Sequence, residues 1–391
     1  MKRFSAQFIF TNAGPPLRRG VITTSDDGTI LNVENTGGDL AESKSVVFYN
    51  GIIVPGFVNC HCHLELSHLK SAIPPAKGLG DFIMHIRSSR ESFSGKTVTY
   101  ADEADNEMYR EGIVACADIC NTSETFEIKK KSPIYYINLL EVFGIDQDKA
   151  ARRMDEIIRL SEEAERSGLT WSIVPHSAYS VSLSLFRLLK KKSRNNNITS
   201  VHFMESAGEI AFLSDHSGPL KYSYEASGLM PDKLQIPENH STAILDEVTS
   251  AGNLILVHNT FADKKTIREL KKRKNTFWCL CPNSNFYIEN KLPPVELLKS
   301  EGCEITIGTD SFASNKKLSI LEELKTLQHH FPSLTLEELI SWATLNGAKA
   351  LDKERVFGKI KSGMKPGLLL LENPDLVNLK LLPESIITRL I

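Results

Sequence analysis

Eleven histidines lie along the chain, and the informative ones stand at the ends of apolar runs. The first run ends Asn59-Cys60-His61-Cys62-His63. Side chains at i and i+2 of a strand point to the same side, roughly 6.5–7 Å apart along the chain. His61 and His63 can therefore converge on one ion at nitrogen–metal distances of about 2 Å, while Cys60 and Cys62 face the other way. Further runs end Val201-His202-Phe203-Met204-Glu205, Leu256-Val257-His258-Asn259, Ile307-Gly308-Thr309-Asp310-Ser311 and Pro175-His176. Imidazoles and a carboxylate gathered from separate strand tips form a donor set suited to Zn²⁺, Fe²⁺ or Mn²⁺. A divalent ion lowers the pKa of water from about 15.7 toward about 7, which makes hydroxide available at neutral pH. Taken alone, each histidine reads as an ordinary core or surface residue. Their joint arrival at strand ends is what points to metal-assisted hydrolysis.

Tips need strands to carry them, and eight apolar runs qualify: 56–61, 112–118, 134–142, 171–175, 200–204, 254–258, 276–281 and 304–309. Helix-period segments separate them at 102–111, 149–167, 183–194, 241–251, 264–274 and 294–301. This alternation predicts an α/β fold, a parallel (β/α)₈ barrel whose active site sits at the C-terminal strand ends. Residues 1–55 read as short strands at 7–11, 20–24, 29–33, 45–49 and 51–54, with Asp27-Gly28 as a hairpin turn. Thr335 is an N-cap candidate for a helix over 336–343, followed by a helical stretch at 348–351 and returning strands at 363–371 and 385–391. The expected organisation is one small β module from 1–55 and 356–391 around a barrel of 56–355.

The ordered set His-x-His, His, His, Asp resembles the amidohydrolase superfamily of metal-dependent barrel hydrolases. Val54-Pro55-Gly56-Phe57-Val58-Asn59-Cys60-His61-Cys62-His63-Leu64-Glu65 is similar to its strand-one signature, and His202-Phe203-Met204-Glu205 to the His-x-x-Glu of its deaminases. Pro175-His176-Ser177-Ala178-Tyr179-Ser180-Val181-Ser182, Cys281-Pro282-Asn283-Ser284-Asn285 and Gly308-Thr309-Asp310-Ser311 resemble the subgroup of chlorohydrolases and of guanine, S-adenosylhomocysteine and aminofutalosine deaminases. The resemblance implies a distorted barrel with a β-sandwich-like terminal module. It also implies one divalent ion, zinc before iron or manganese, held by His61, His63, His202 and Asp310. His258 and Asp310 would take a proton from water, and Glu205 would pass it to a substrate ring nitrogen, work worth roughly 10²–10⁴-fold. His176, Glu141, Ser311 and Asn285 are the expected substrate contacts, with Glu141 the one opening for a second metal. The implied reaction is hydrolytic deamination of an amino-substituted heteroaromatic, a nucleoside or nucleobase derivative. Hydrolytic dechlorination, hydrolysis of a cyclic amide, or a non-catalytic metal- or ligand-binding barrel remain as alternatives.

Other residues carry less. Glu65 superficially completes the His-x-Glu of a second zinc deaminase fold, but its Pro-Cys-x-x-Cys partner is missing, Cys281-Pro282 standing in the opposite order. Ser67, His68, Phe82, Met84 and His85 fall after the first strand, as pocket cover or as loop packing. His216, His240, His329 and His330 read as solvated, and Lys271-Lys272-Arg273-Lys274 as a solvated helix end. The balance of 46 Lys+Arg against 48 Asp+Glu gives a net charge of −2 and excludes a basic nucleic-acid footprint. The seven cysteines form no paired framework and read as reduced, buried thiols. No run approaches the roughly 18 apolar residues of a membrane span, and the stretch after Lys2-Arg3 is too short for a secretory signal. A cytoplasmic enzyme acting on a small molecule, without membrane or nucleic-acid partner and compatible with a homodimer, is expected.

Overall fold

Segments rich in small and branched apolar residues form strands that are covered on both faces. Phe57–Cys62 and Ile113–Cys120 bury every residue, the pattern of parallel strands flanked by helices. A computed structural model describes residues 1–41, 45–75, 77–92, 95–226, 228–229 and 252–391. Its first strands are β1 (Lys2–Ile9), β2 (Leu17–Arg18), β3 (Val21–Thr24), β4 (Ile30–Glu34) and β5 (Val47–Pro55). There follow β6 (Phe57–Cys62), β7 (Ile113–Cys120), β8 (Tyr135–Val142) and β9 (Thr170–Pro175), which form a parallel sheet in that order. A second parallel sheet runs β10 (Ile198–Phe203), β11 (Asn253–His258), β12 (Thr276–Leu280) and β13 (Glu304–Ile307).

The two parallel sheets meet at both edges. Thr309 N and Asp310 N donate to His61 O at 3.0 Å, and His202 N donates to His176 O at 2.9 Å. Parallel bridges accordingly link Cys62 to Asp310 and Ser177 to His202. The remaining strands, β14 (Leu368–Glu372) and β15 (Ile386–Arg389), join the N-terminal ones in a seven-stranded sheet ordered β15-β14-β5-β1-β3-β4, with β2 on β1. The chain ends thus pair with each other, Leu368 opposite Pro55 and Leu371 opposite Ile52. Gly51 permits this close approach, since a Cβ there would lie 2.4 Å from Leu371 O.

Helices turn one apolar stripe toward the sheets. In Ala150–Arg166 the buried residues Met154, Ile157, Leu160 and Ala164 recur at helical spacing. Thr335 caps Leu336–Ser341 with a reciprocal bond to Glu338. Several elements differ from the sequence reading. The two strands expected at 45–49 and 51–54 are the single β5, and β1 begins at Lys2, where its edge pairs with Thr24. Gly78–Ser92, read as loop, is a helix, and helices also cover Ala207–Asp215, Pro219–Ala226, Pro282–Glu289 and Ile320–His330. The helix expected at 241–251 and His240 lie outside the described residues. All seven cysteines are free thiols, six of them buried. Among the described residues no helix is long and apolar enough to cross a membrane.

Candidate active site

Strand periodicity and edge closure bring the expected residues to one point. His61 and His63 lie at the end of β6, with their Nε2 atoms 3.1 Å apart. His202 of β10 and His258 of β11 complete the cluster, their rings 4.8 and 5.6 Å from that of His61 and 5.2 Å from each other. Asp310 follows β13, its Oδ1 3.5 Å from His63 Nε2 and 3.8 Å from His61 Nε2. Hydroxyls of Ser284 and Ser314 donate to Asp310 Oδ2 at 2.5 and 3.0 Å, which aims the other oxygen at the histidines.

Burial sets the protonation states. It holds the imidazoles of His63 and His258 down to about 3 and that of His202 to about 4, and His61 falls well below its usual range as well. Neutral imidazole is the form that ligates. Burial opposes ionisation of Asp310 too, but His63, His258 and Ser284 together keep it below the usual carboxylate range. Glu205 behaves oppositely: burial, then the charges of Asp310 and Glu209, push its pKa well above normal. Its Oε1 lies 3.6 Å from His258 Nε2, and Tyr179 Oη donates to Oε2 at 3.4 Å.

These residues fit a divalent ion. His202 Nδ1 is 3.0 Å from His176 O, so its proton belongs on Nδ1 and its Nε2 lone pair is free for an ion. His61 Nδ1 and His258 Nε2, both buried, have no hydrogen-bond partner among the described residues, a condition that binding to an ion or water relieves. His61, His202 and His258, and separately His61, His63 and Asp310, bring ligand atoms within 4.8 Å of one another. Glu141, His176 and His202 do the same, but the carbonyl bond at His202 Nδ1 occupies the nitrogen that faces Glu141 at 3.7 Å. Cys62, Cys116 and Asp118 also cluster, yet Lys129 Nζ already sits 2.5 Å from Asp118.

The histidines and acids floor a cavity of about 250 Å³. Glu141, His176 and Ser311 line it, whereas Asn285 stands behind the floor, its amide 3.1 Å from His258 Nδ1. His176 stacks on His202 at 4.4 Å, with its Nδ1 near the Ser177 and Ser180 hydroxyls. The outer wall is apolar: Leu66, Leu79, Phe82, Ile83, Ile86 and Tyr224, with Arg87 beside them. Of the post-strand candidates only Phe82 reaches the cavity, while Met84 is exposed and His85 bonds Asp81 O. Sequence reasoning missed Leu79, Ile83 and Ile86, although their spacing with Phe82 is helical. It also missed Asn121, which donates to Glu141 Oε2 at 3.1 Å and had no pattern to betray it, and it gave no role to Ser284, although that residue stands in the Cys281–Asn285 motif. Glu65 serves the fold here, accepting the amides of Asn121 and Thr122 at 2.9 and 3.2 Å.

Residues 52–386 match the model of the amidohydrolase family. An adenosine deaminase of Helicobacter pylori is 25% identical over 326 residues, covering 79% of this chain and 76% of that protein. The H. pylori aminofutalosine deaminase, solved with methylthio-coformycin, shares the fold with a TM-score of 0.77 at 21% identity, over 96% of this chain and 93% of that one. Atrazine chlorohydrolase of Arthrobacter aurescens, in a variant solved with zinc and atraton, gives a TM-score of 0.72 at 17% identity, over 95% and 88%.

Proposed function

The chain belongs to the amidohydrolase family, a family of metal-dependent hydrolases, and on that premise we propose that it is a hydrolytic deaminase of an adenosine-like nucleoside. We also take the two parallel sheets to close into one distorted barrel over 56–355, with 1–55 and 356–391 as its β module. The observation that carries the reading is Glu205, a buried acid at the cavity floor with its Oε1 3.6 Å from His258 Nε2, whose pKa burial pushes well above the usual carboxylate range. His61, His63, His202 and Asp310 would hold one ion, zinc being the first choice for this donor set. A bound ion supplies Lewis acidity, bringing the pKa of a water toward about 7.

The chain's own groups then divide the proton traffic. His258 and Asp310 accept the proton of the attacking water. Glu205 gives its proton to the ring nitrogen beside the amino-bearing carbon, making that carbon more electrophilic as oxygen adds. The proton held by His258 and Asp310 then passes to the departing amine, the carbon–nitrogen bond breaks with its electron pair leaving on ammonia, and the proton of the added hydroxyl returns to Glu205 as the carbonyl forms. Asn285 fixes the orientation of His258. His176, Glu141 and Ser311 contact the heterocycle, and the apolar wall from Leu79 to Ile86 suits an apolar substituent on the sugar. Hydrolytic dechlorination and cyclic-amide hydrolysis share the floor but need no proton at a ring nitrogen flanking an amine.

Ammonia release across adenosine, 5′-substituted adenosines, guanine, cytosine, a chlorinated triazine and a cyclic amide tests the reading. Adenosine-type compounds are expected to release ammonia, and Glu205→Gln to lower kcat by roughly 10²–10⁴-fold with metal retained. Turnover of the triazine or the amide with no ammonia from any aminated ring would overturn deamination. Loss of metal in Glu205→Gln would make Glu205 a ligand.

A further inference from the structure

Behind Glu205 stands a second carboxylate that is not among the residues lining the cavity. Glu209 belongs to the helix Ala207–Asp215 and has no exposed surface. Ser206 caps that helix, its Oγ accepting from Glu209 N at 2.9 Å. In an ordinary capping box the acid at this position returns the bond to the amide of the cap residue. Thr335 and Glu338 do so elsewhere in the chain, Glu338 Oε2 accepting Thr335 N at 2.9 Å. Glu209 instead reaches past its cap. Its Oε2 accepts Glu205 N at 2.7 Å and its Oε1 accepts Met204 N at 3.1 Å. Met204 has φ +48°, a left-handed conformation that a side-chain-bearing residue adopts only when its surroundings enforce it.

We propose that Glu209 is a positioning residue for Glu205: its carboxylate clamps the amides of Met204 and Glu205, and so holds the left-handed turn that aims Glu205 at His258. The inference rests on the reading of Glu205 as the acid. The helix does not need the clamp, because Ser206 already caps it. The clamp serves the residues ahead of the helix.

Glu209→Gln keeps the size of the side chain but replaces one accepting oxygen with an NH₂ that cannot accept. We expect kcat to fall about 10- to 100-fold, KM to stay within about threefold, and metal content to be unchanged. Since Glu209 acts through Glu205, adding Glu209→Gln to Glu205→Gln should change kcat by less than about twofold. Ser206→Ala, which removes the cap and leaves the clamp, should keep kcat within about threefold. Should Glu209→Gln not be recovered folded, Glu209→Asp, which withdraws the carboxylate by one methylene, enters the same comparisons. Multiplicative effects in the double variant, or a loss of kcat in Ser206→Ala as large as that in Glu209→Gln, would overturn the clamp. A wild-type rate in Glu209→Gln beside a crippled Glu205→Gln would also overturn the clamp alone. A wild-type rate in Glu205→Gln itself would overturn the acid on which it rests.

Discussion

Lys129 is expected to contribute more to stability than any residue of its surface-like Lys129-Lys130-Lys131 run suggests. It lies on the helix Phe126–Lys131, its Nζ 2.5 Å from Asp118 Oδ2 and 3.0 Å from Cys120 Sγ, and neither Lys129 nor Asp118 has any side-chain exposure. Burial acts to neutralise the ammonium, but Asp118 and Cys120 more than offset it and hold the lysine above its usual range. Asp118 Oδ1 also accepts Leu64 N at 2.7 Å, at the residue following His63. Lys129→Met keeps an apolar stem and removes the charge. A hydrogen bond to a charged group is worth roughly 1.5–3 kcal/mol. Stranding a carboxylate where water cannot reach raises the loss to about 3–5 kcal/mol. For 391 residues the unfolding entropy is roughly 0.8 kcal/mol/K, so the melting temperature should fall by about 5 °C. Adding Asp118→Asn removes the stranded charge while leaving an oxygen for Leu64 N, and should restore more than half of the loss. Calorimetry and the urea midpoint at constant m measure both variants. A loss below about 1 kcal/mol in Lys129→Met, or a double variant no more stable than the single one, would refute the reasoning.

Protein purified without chelator should carry one equivalent of transition metal, and chelation should abolish activity and lower the melting temperature, with a loss of about 2.7 kcal/mol of stability where free metal had stood at a hundred times Kd. Two tightly held equivalents by elemental analysis would contradict a single-ion site. Burial pushes Glu323 to about 8 from an ordinary 4.5, so the fold retains a proton that the unfolded chain releases. Its contribution is complete below pH 4.5 and is lost as pH rises through about 8, at up to about 1.4 kcal/mol per pH unit. The melting temperature should therefore fall between pH 5 and 8 by less in Glu323→Gln than in wild type, and parallel curves would rule this out.

How much of this was legible depended on whether the signal was local. His61 and His63 are two apart, and the period of a strand makes that spacing meaningful by itself. Strands covered on both faces, such as β11 with Leu254 to Val257, read as unbroken apolar runs. The helix Gly78–Ser92 was obscured because Gly78, Gly80, Ser88 and Ser89 are poor helix formers, although Leu79, Phe82, Ile83 and Ile86 kept the helical period. Partnerships made by closure left no trace in sequence: Asn59 Nδ2 donates to Thr309 Oγ1 across 250 positions, at 2.8 Å. Asn285, expected on the substrate, turned out to face His258 because the helix Pro282–Glu289 starts directly behind that ring. Nothing in a run of three lysines distinguishes the middle-facing one until Asp118 is placed beneath it.

The spacing of His202 and Glu205 shows why the turn matters more than the strand. In regular extended chain, residues three apart point to opposite faces, so a strand continued beyond Phe203 would send Glu205 away from the cavity that His202 faces. Both line the cavity nonetheless, because Met204 at φ +48° breaks the alternation. The same device recurs at the other tips, with φ +75° at His258, +58° at Asn259 and +56° at Asp310. Such conformations typically cost about 1–3 kcal/mol each, and each tip carries bonds that hold it. Asn259 N donates to Phe203 O at 3.0 Å and its Nδ2 to Cys279 O at 3.2 Å, while Asp310 N donates to His61 O at 3.0 Å. Every bond named crosses between strands or clamps a turn from outside it, so each tip is fixed by its neighbours before substrate arrives. That is the preorganisation an acid and its proton acceptors require when charge is to develop between them.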